Sequence, residues 1–230
     1  MLPLPALPSL SDQAERLAAL SIRGVPDADL RAAAGTGPDG GLLAVHPSCL
    51  PASRLTGFVV REGRPGFVVA DMTDVDAFSP IPEAALPDAP VYVVHAPDRG
   101  DAMANWSPDE ALPALTAAGR SPLTLTEGLH WLLQQPAALD RNHCFMTIGS
   151  RLRRPDGRLD TRTPALWLSN GTGRDGRERR HAPKVGWCWA GNRHTWLGFA
   201  STTGRTAPVR IATDRGLLDD TTSDRVSPVH

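Results

Sequence analysis

Lys184-Val-Gly-Trp-Cys-Trp-Ala-Gly-Asn-Arg-His-Thr-Trp-Leu-Gly-Phe-Ala200 reads as two strand-forming runs joined at a glycine. β-Branched and aromatic residues favour strands, and Gly191 followed by Asn192 suits a two-residue primed hairpin turn. In that register Ala190 faces Arg193, Trp189 faces His194, Cys188 faces Thr195 and Trp187 faces Trp196. Side chains alternate with period two, which puts Trp187, Trp189, His194 and Trp196 on one face. Gly186, Cys188, Thr195, Leu197 and Phe199 then share the other. Each of those indoles and the imidazole carries a ring N–H that needs a partner when buried. The face is therefore one of two things. It is a tryptophan-rich core with cross-strand pairs worth about 0.2–1 kcal/mol each, or a stacking platform for a nucleobase, cofactor ring or sugar.

Working outward, Cys144-Phe-Met-Thr-Ile148 and Pro164-Ala-Leu-Trp-Leu-Ser169 are further strands. No helical pattern separates them, so antiparallel meander connections are expected. Val91-Tyr-Val-Val-His95 is another strand, and Gly57–Val60 with Gly66–Ala70 flank Arg61–Pro65 as a hairpin. Residues 13–20, capped by Ser11 or Asp12, and residues 27–34 read as short helices. Two later helix starts are marked by capping boxes, Ser107-Pro-Asp-Glu110 and Thr124-Leu-Thr-Glu127. In each, a hydroxyl and a carboxylate three residues apart satisfy one another's orphan backbone N–H. The second box opens Gly128–Gln135, bounded by Pro136. Leu125, Leu129, Leu132 and Leu133 form its apolar stripe, and His130, off that stripe, is expected at the surface.

These elements predict an α+β fold: a mostly antiparallel sheet with helices packed on one face, as a single domain over 13–205. A proline-rich extension (1–12) precedes it and a mobile tail (206–230) follows the loss of periodicity at Arg205. The 230 residues suffice for one full core, and 41% apolar with 21% charged residues excludes wholesale disorder. No apolar run reaches the length of a membrane span, and the start lacks the basic leader of a signal peptide. Three cysteines, an odd count without C-x-x-C, point to reduced thiols and a cytoplasmic protein.

Charge is unevenly placed. Residues 1–140 hold 8 basic and 17 acidic residues (net −9), residues 141–230 hold 16 and 8 (net +8). A basic pole suits phosphate or nucleic acid. The favoured expectation is that the acidic half (13–140) and the basic half (141–205) partly neutralise each other within one fold. Of the 24 basic residues only Lys184 is not arginine, which weakens any single arginine as a sign of anion recognition.

Chemistry-bearing motifs are sparse. Cys188 and His194 resemble a nucleophile and its base, but the hairpin register points them to opposite faces, as it does neighbours His143 and Cys144. Cys188 is read as a small buried hydrophobe. His46-Pro-Ser-Cys49 and His95-Ala-Pro-Asp98 lack a second pair at zinc spacing, and Asp71–Asp76 lacks the glycine and glutamate of a calcium loop, so no metal site is expected. Asn170-Gly-Thr-Gly-Arg-Asp-Gly-Arg177 is the best anion-loop candidate, although no helix follows it and a flexible hairpin loop accounts for it as well.

Gly119-Arg-Ser-Pro-Leu-Thr-Leu-Thr-Glu-Gly128, Pro164–Ser169 and the tryptophan stretch 184–198 together resemble the actinobacterial domain-of-unknown-function 5701 family, over about Gln13 to Arg205. The resemblance implies a bacterial, cytosolic, single-domain protein and transfers no catalytic residue. The functional expectation comes from the residues: a small planar or anionic ligand at the hairpin. Trp187, Trp189 and Trp196 would stack, and Arg193 with Arg151 or Arg174 would hold negative charge. An enzyme using His194 as general acid/base, assisted by Asp98 or Asp101, is one alternative. A nucleic-acid or protein-interaction module is another. Cofactor, ligand and oligomeric state stay open.

Overall fold

Both capping boxes form in the computed structural model, which describes residues 4–208. Ser107 Oγ accepts from the Glu110 N–H at 3.3 Å, and the Glu110 carboxylate accepts from the Ser107 N–H at 2.9 Å. Thr124 and Glu127 repeat the exchange at 3.3 and 2.8 Å. The described helices are α1 (Leu10–Ala18), α2 (Asp27–Thr36), α3 (Ala52–Thr56), α4 (Pro108–Ala117) and α5 (Leu125–Gln134). The strands are β1 (Leu42–Val45), β2 (Val60–Arg61), β3 (Arg64–Pro65), β4 (Phe67–Val68), β5 (Phe78–Pro80), β6 (Val91–His95) and β7 (Ser121–Pro122). They continue as β8 (Cys144–Met146), β9 (Ser150–Leu152), β10 (Arg162–Leu168), β11 (Pro183–Trp189), β12 (Leu197–Phe199), β13 (Ser201–Thr202) and β14 (Gly204–Thr206).

Two sheets organise the α+β fold. One is antiparallel, in the order β1-β6-β14. The other runs β12-β8-β10-β11-β4, antiparallel at its centre with a parallel strand at each edge. Helix α5 packs against β1 and β10, and every one of its residues is buried. Gly128 lets it approach closely, since a Cβ there would stand 2.6 Å from Thr147 Cγ2 and 2.8 Å from Leu166 Cδ1. No helix among the described residues is long and apolar enough to cross a membrane.

His130 corrects the surface expectation. A leucine stripe predicts one covered face, whereas α5 is covered all round, and His130 is fully buried. Its ring is satisfied at both ends: Nδ1 donates to the Thr126 carbonyl at 2.7 Å and Nε2 accepts the Val45 N–H at 3.2 Å. The Leu43 N–H is taken by Gln13 Oε1 at 2.8 Å. Both outward-facing donors of the edge strand β1 are thus closed by side chains, which leaves that edge unable to recruit another strand.

The opposite poles do meet. Arg162 grips Asp74 with both terminal nitrogens, at 3.1 and 2.7 Å, Arg193 pairs with Glu110, and Arg205 pairs with Glu127. In each case a cation from the basic half answers a carboxylate from the acidic half.

Several boundaries move. Helix α1 starts at Leu10 with Ser9 as its cap, two or three residues before the expected Ser11 or Asp12, and Gln135 donates to the Pro5 carbonyl. The Gly57–Ala70 hairpin shrinks to β2 and β3, because α3 takes the chain up to Thr56 and Phe67–Val68 pairs parallel with β11. Strand β14 runs through Arg205 to Thr206, the first residue of the expected tail. Of the expected tail (206–230), residues 209–230 lie outside the described residues.

The tryptophan hairpin itself does not form. A tight turn is present, with the Asn192 N–H on the Trp189 carbonyl at 3.0 Å. Its flanks nevertheless go to different places. Strand β11 is paired along its full length with β10, from Arg162↔Trp189 to Leu168↔Pro183. Strand β12 lies at the far edge, parallel to β8. Gly198 explains that choice: a Cβ there would stand 2.4 Å from the Arg99 carbonyl oxygen, so β12 needs glycine to pass under residues 99–100.

Candidate functional site

Alternation still holds within β11, where Trp187 and Trp189 meet edge-on with centroids 4.6 Å apart and planes at 67°. Trp196, freed from the hairpin, stands edge-on to Trp167 of β10 at 6.2 Å and 73° instead. Trp167 lies over Gly186, the residue one step along β11, and Lys184 Nζ sits 5.2 Å from its ring centroid. The single three-indole face expected from the hairpin is therefore replaced. Trp167, Trp187 and Trp196 border a cleft of about 690 Å³ that residues from both sides of the sheet reach.

Cys144 and Cys188 complete the apolar wall. Burial pushes both thiols up to about 11, so at neutral pH they are protonated, apolar groups and not nucleophiles. Arg141, Asn142, Asn170, Arg180 and His181 form the polar rim, and among the described residues no carboxylate lines the cleft. Among the described residues Arg141 has no carboxylate partner, and Arg180 Nε contacts only His181 Nε2, at 3.1 Å. The rim is net positive.

The residues singled out in the sequence are dispersed. Trp187 and Trp196 line the cleft; Trp189, 46% exposed, packs behind Trp187 outside the lining. Arg193 is tied to Glu110 and to the Asn105 carbonyl. Arg151 is buried in β9, donates to the Asp160 carbonyl at 2.6 Å, and leaves its Nε without a partner among the described residues. Arg174 is exposed on the 170–182 loop. That loop is closed by its own Asp175, which takes hydrogen bonds from Ser169 Oγ and Lys184 Nζ, both at 2.7 Å, so its glycines make no open anion cradle. Its two ends, Asn170 on one side and Arg180 with His181 on the other, reach the rim.

His194 packs 5.4 Å from Trp196 with Nε2 buried and unpartnered among the described residues, and burial pushes its pKa down. It lines neither the cleft nor the chamber beside it. That chamber, about 290 Å³, shares Asn142 and Trp196 with the cleft and is lined by Asp101 and His143. Arg99 holds the Asp101 carboxylate at both oxygens, 2.7 and 2.5 Å, and Asp101 lies 3.9 Å from His143 Nδ1. The imidazole beside a carboxylate is His143. Sequence reasoning missed it because the pairing depends on the close docking of residues 99–100 on β12. No group of three His, Cys, Asp or Glu among the described residues is placed to hold a metal ion.

Gly186→Ala tests the geometry of the wall. Its Cβ would fall 2.4 Å from Trp167 Cη2, and displacing the ring is expected to cost about 1–3 kcal/mol. A lowered melting temperature with altered tryptophan emission is the expected readout, and a variant indistinguishable from the parent would contradict the packing.

The model of a family of unknown function, DUF5701, matches residues 8–208. No curated protein and no solved structure matches the chain.

Proposed function

The chain belongs to the family of unknown function DUF5701, so the cleft has to carry any functional reading, and we propose that it binds a small planar, anionic ligand. The observation that carries this reading is the make-up of its lining among the described residues: three indoles, two arginines without carboxylate partners and a histidine, with no acidic residue. Indole faces offer dispersion and quadrupole contacts to a flat ring. Guanidinium groups offer paired donors to a carboxylate or phosphate. An indole cluster serving only as core would not need cations around an open cleft. Three free cysteines support a reducing compartment, and the reading includes a cytoplasmic location.

The test uses naphthalene-2-carboxylate and its neutral analogue naphthalene-2-carboxamide. The carboxylate is expected to quench tryptophan emission saturably and to bind more tightly than the amide. Trp167→Ala should weaken it about tenfold, the low end of what one stacked ring contributes. Absence of saturable quenching, or equal binding by Trp167→Ala and the parent, would sink the reading.

A further inference from the structure

Two carboxamides stand on the rim of the cleft, Asn142 and Asn170. Both residues are exposed, and neither side-chain amide hydrogen bonds to the protein among the described residues. Asn142 has φ +65°, in the left-handed region that asparagine tolerates, and sits in the Asp140–His143 turn that opens toward both the cleft and the adjoining chamber.

The chemistry of these groups is different from that of the arginines. A guanidinium only donates. A carboxamide donates and accepts in one plane, which matches the edge of a heterocycle carrying both amino and carbonyl or ring-nitrogen groups. A neutral sugar also stacks on indoles, but it carries no anion to answer Arg141 and Arg180. A plain aromatic acid would use the indoles and one arginine and leave both amides idle. The cleft, at about 690 Å³, is within the range that encloses a drug-sized molecule, and the chamber beside it extends the space.

Resting on the reading of the cleft as a ligand site, we propose that its ligand is a nucleotide. The base lies against Trp167 and Trp196, its edge meets Asn142 and Asn170, and its phosphate is held by Arg141 and Arg180 with His181 beside them. A free nucleotide and an unpaired residue of a single strand present the same chemistry.

The experiment titrates the full chain, by tryptophan emission and calorimetry, with the 5′-monophosphates of adenosine, guanosine, cytidine and uridine. The four nucleosides, inorganic phosphate, naphthalene-2-carboxylate and single-stranded hexauridylate run beside them. At least one monophosphate should bind saturably and about tenfold or more tighter than its nucleoside, as charge-assisted contacts to phosphate predict. The Arg141→Gln/Arg180→Gln variant should bring that monophosphate to the level of the nucleoside, leaving nucleoside binding and the melting temperature in place. Asn142→Gly, which keeps the left-handed backbone, should flatten the preference among the four bases. Hexauridylate binding more tightly than uridine monophosphate by well beyond sixfold would support a strand as the source, and a smaller gain would support the free nucleotide. If naphthalene-2-carboxylate binds and no nucleotide does, the nucleotide inference is overturned and the cleft reading stands. If nothing binds, both fall.

Discussion

Glu127→Gln is expected to lower folding stability by about 3–5 kcal/mol, read as a fall in the urea midpoint. The Glu127 side chain is wholly inaccessible and that of Arg205 is 5% exposed. Arg205 Nε donates to Glu127 Oε1 at 2.5 Å and an Arg205 terminal nitrogen to Oε2 at 2.8 Å. Two further guanidinium N–H groups donate to Ser121 Oγ at 2.6 Å and the Pro122 carbonyl at 2.9 Å. The same carboxylate closes the α5 capping box. Neutralising it strands a buried guanidinium, and the loss is set by that uncompensated charge more than by the contact removed. Arg205→Met should therefore be about as harmful, while the double variant should recover much of the loss, since no lone charge remains. Single variants within about 1 kcal/mol of the parent would mean that the pair is reached by water, as surface pairs are.

Stability is also expected to fall by about 2 kcal/mol between pH 7 and pH 5 through His130 alone. Burial lowers its pKa from 6.5 to about 4. The sign follows from which state binds the proton. Below about 6.5 the unfolded chain protonates this imidazole and the folded protein does not, so acid favours unfolding. The contribution is complete above the unfolded pKa, is lost progressively as pH falls, and stops changing below about 4, where both states are protonated. His46 and His194, whose pKa values burial also lowers, act in the same direction. Urea midpoints measured from pH 7.5 to 4.5 for the parent and for His130→Gln check this. The substitution should remove most of the slope in that window, whatever it does to the absolute stability. A parent curve flat between pH 7 and pH 5 would contradict the burial of a neutral ring.

How far the chain could be read depends on the distance over which each feature is decided. The capping boxes of α4 and α5 join groups three residues apart, and strand β6 is a continuous β-branched and aromatic run; all three appear where the sequence puts them. The hairpin at Gly191 failed although its turn is real. A turn preference is a local term of limited size, and β12 pairs instead with β8, where Gly198 lets it pass close under residues 99–100. Trp167 becomes a wall of the cleft only because the β10–β11 register lays it over a glycine. Arg193 is an anion candidate by position, yet Glu110 claims it, while Arg141 and Arg180 face the cleft.

The α+β class, the capped starts of α4 and α5 and the complementary charges of the two halves are legible in the sequence alone. These follow from composition or from contacts that a few bonds of chain enforce. The tertiary fold sets which indoles meet, which arginines face the cleft and why His130 is neutral inside the core. Each of those outcomes depends on partners distant along the chain, selected by which arrangement buries the most apolar surface while leaving the fewest polar groups unpaired.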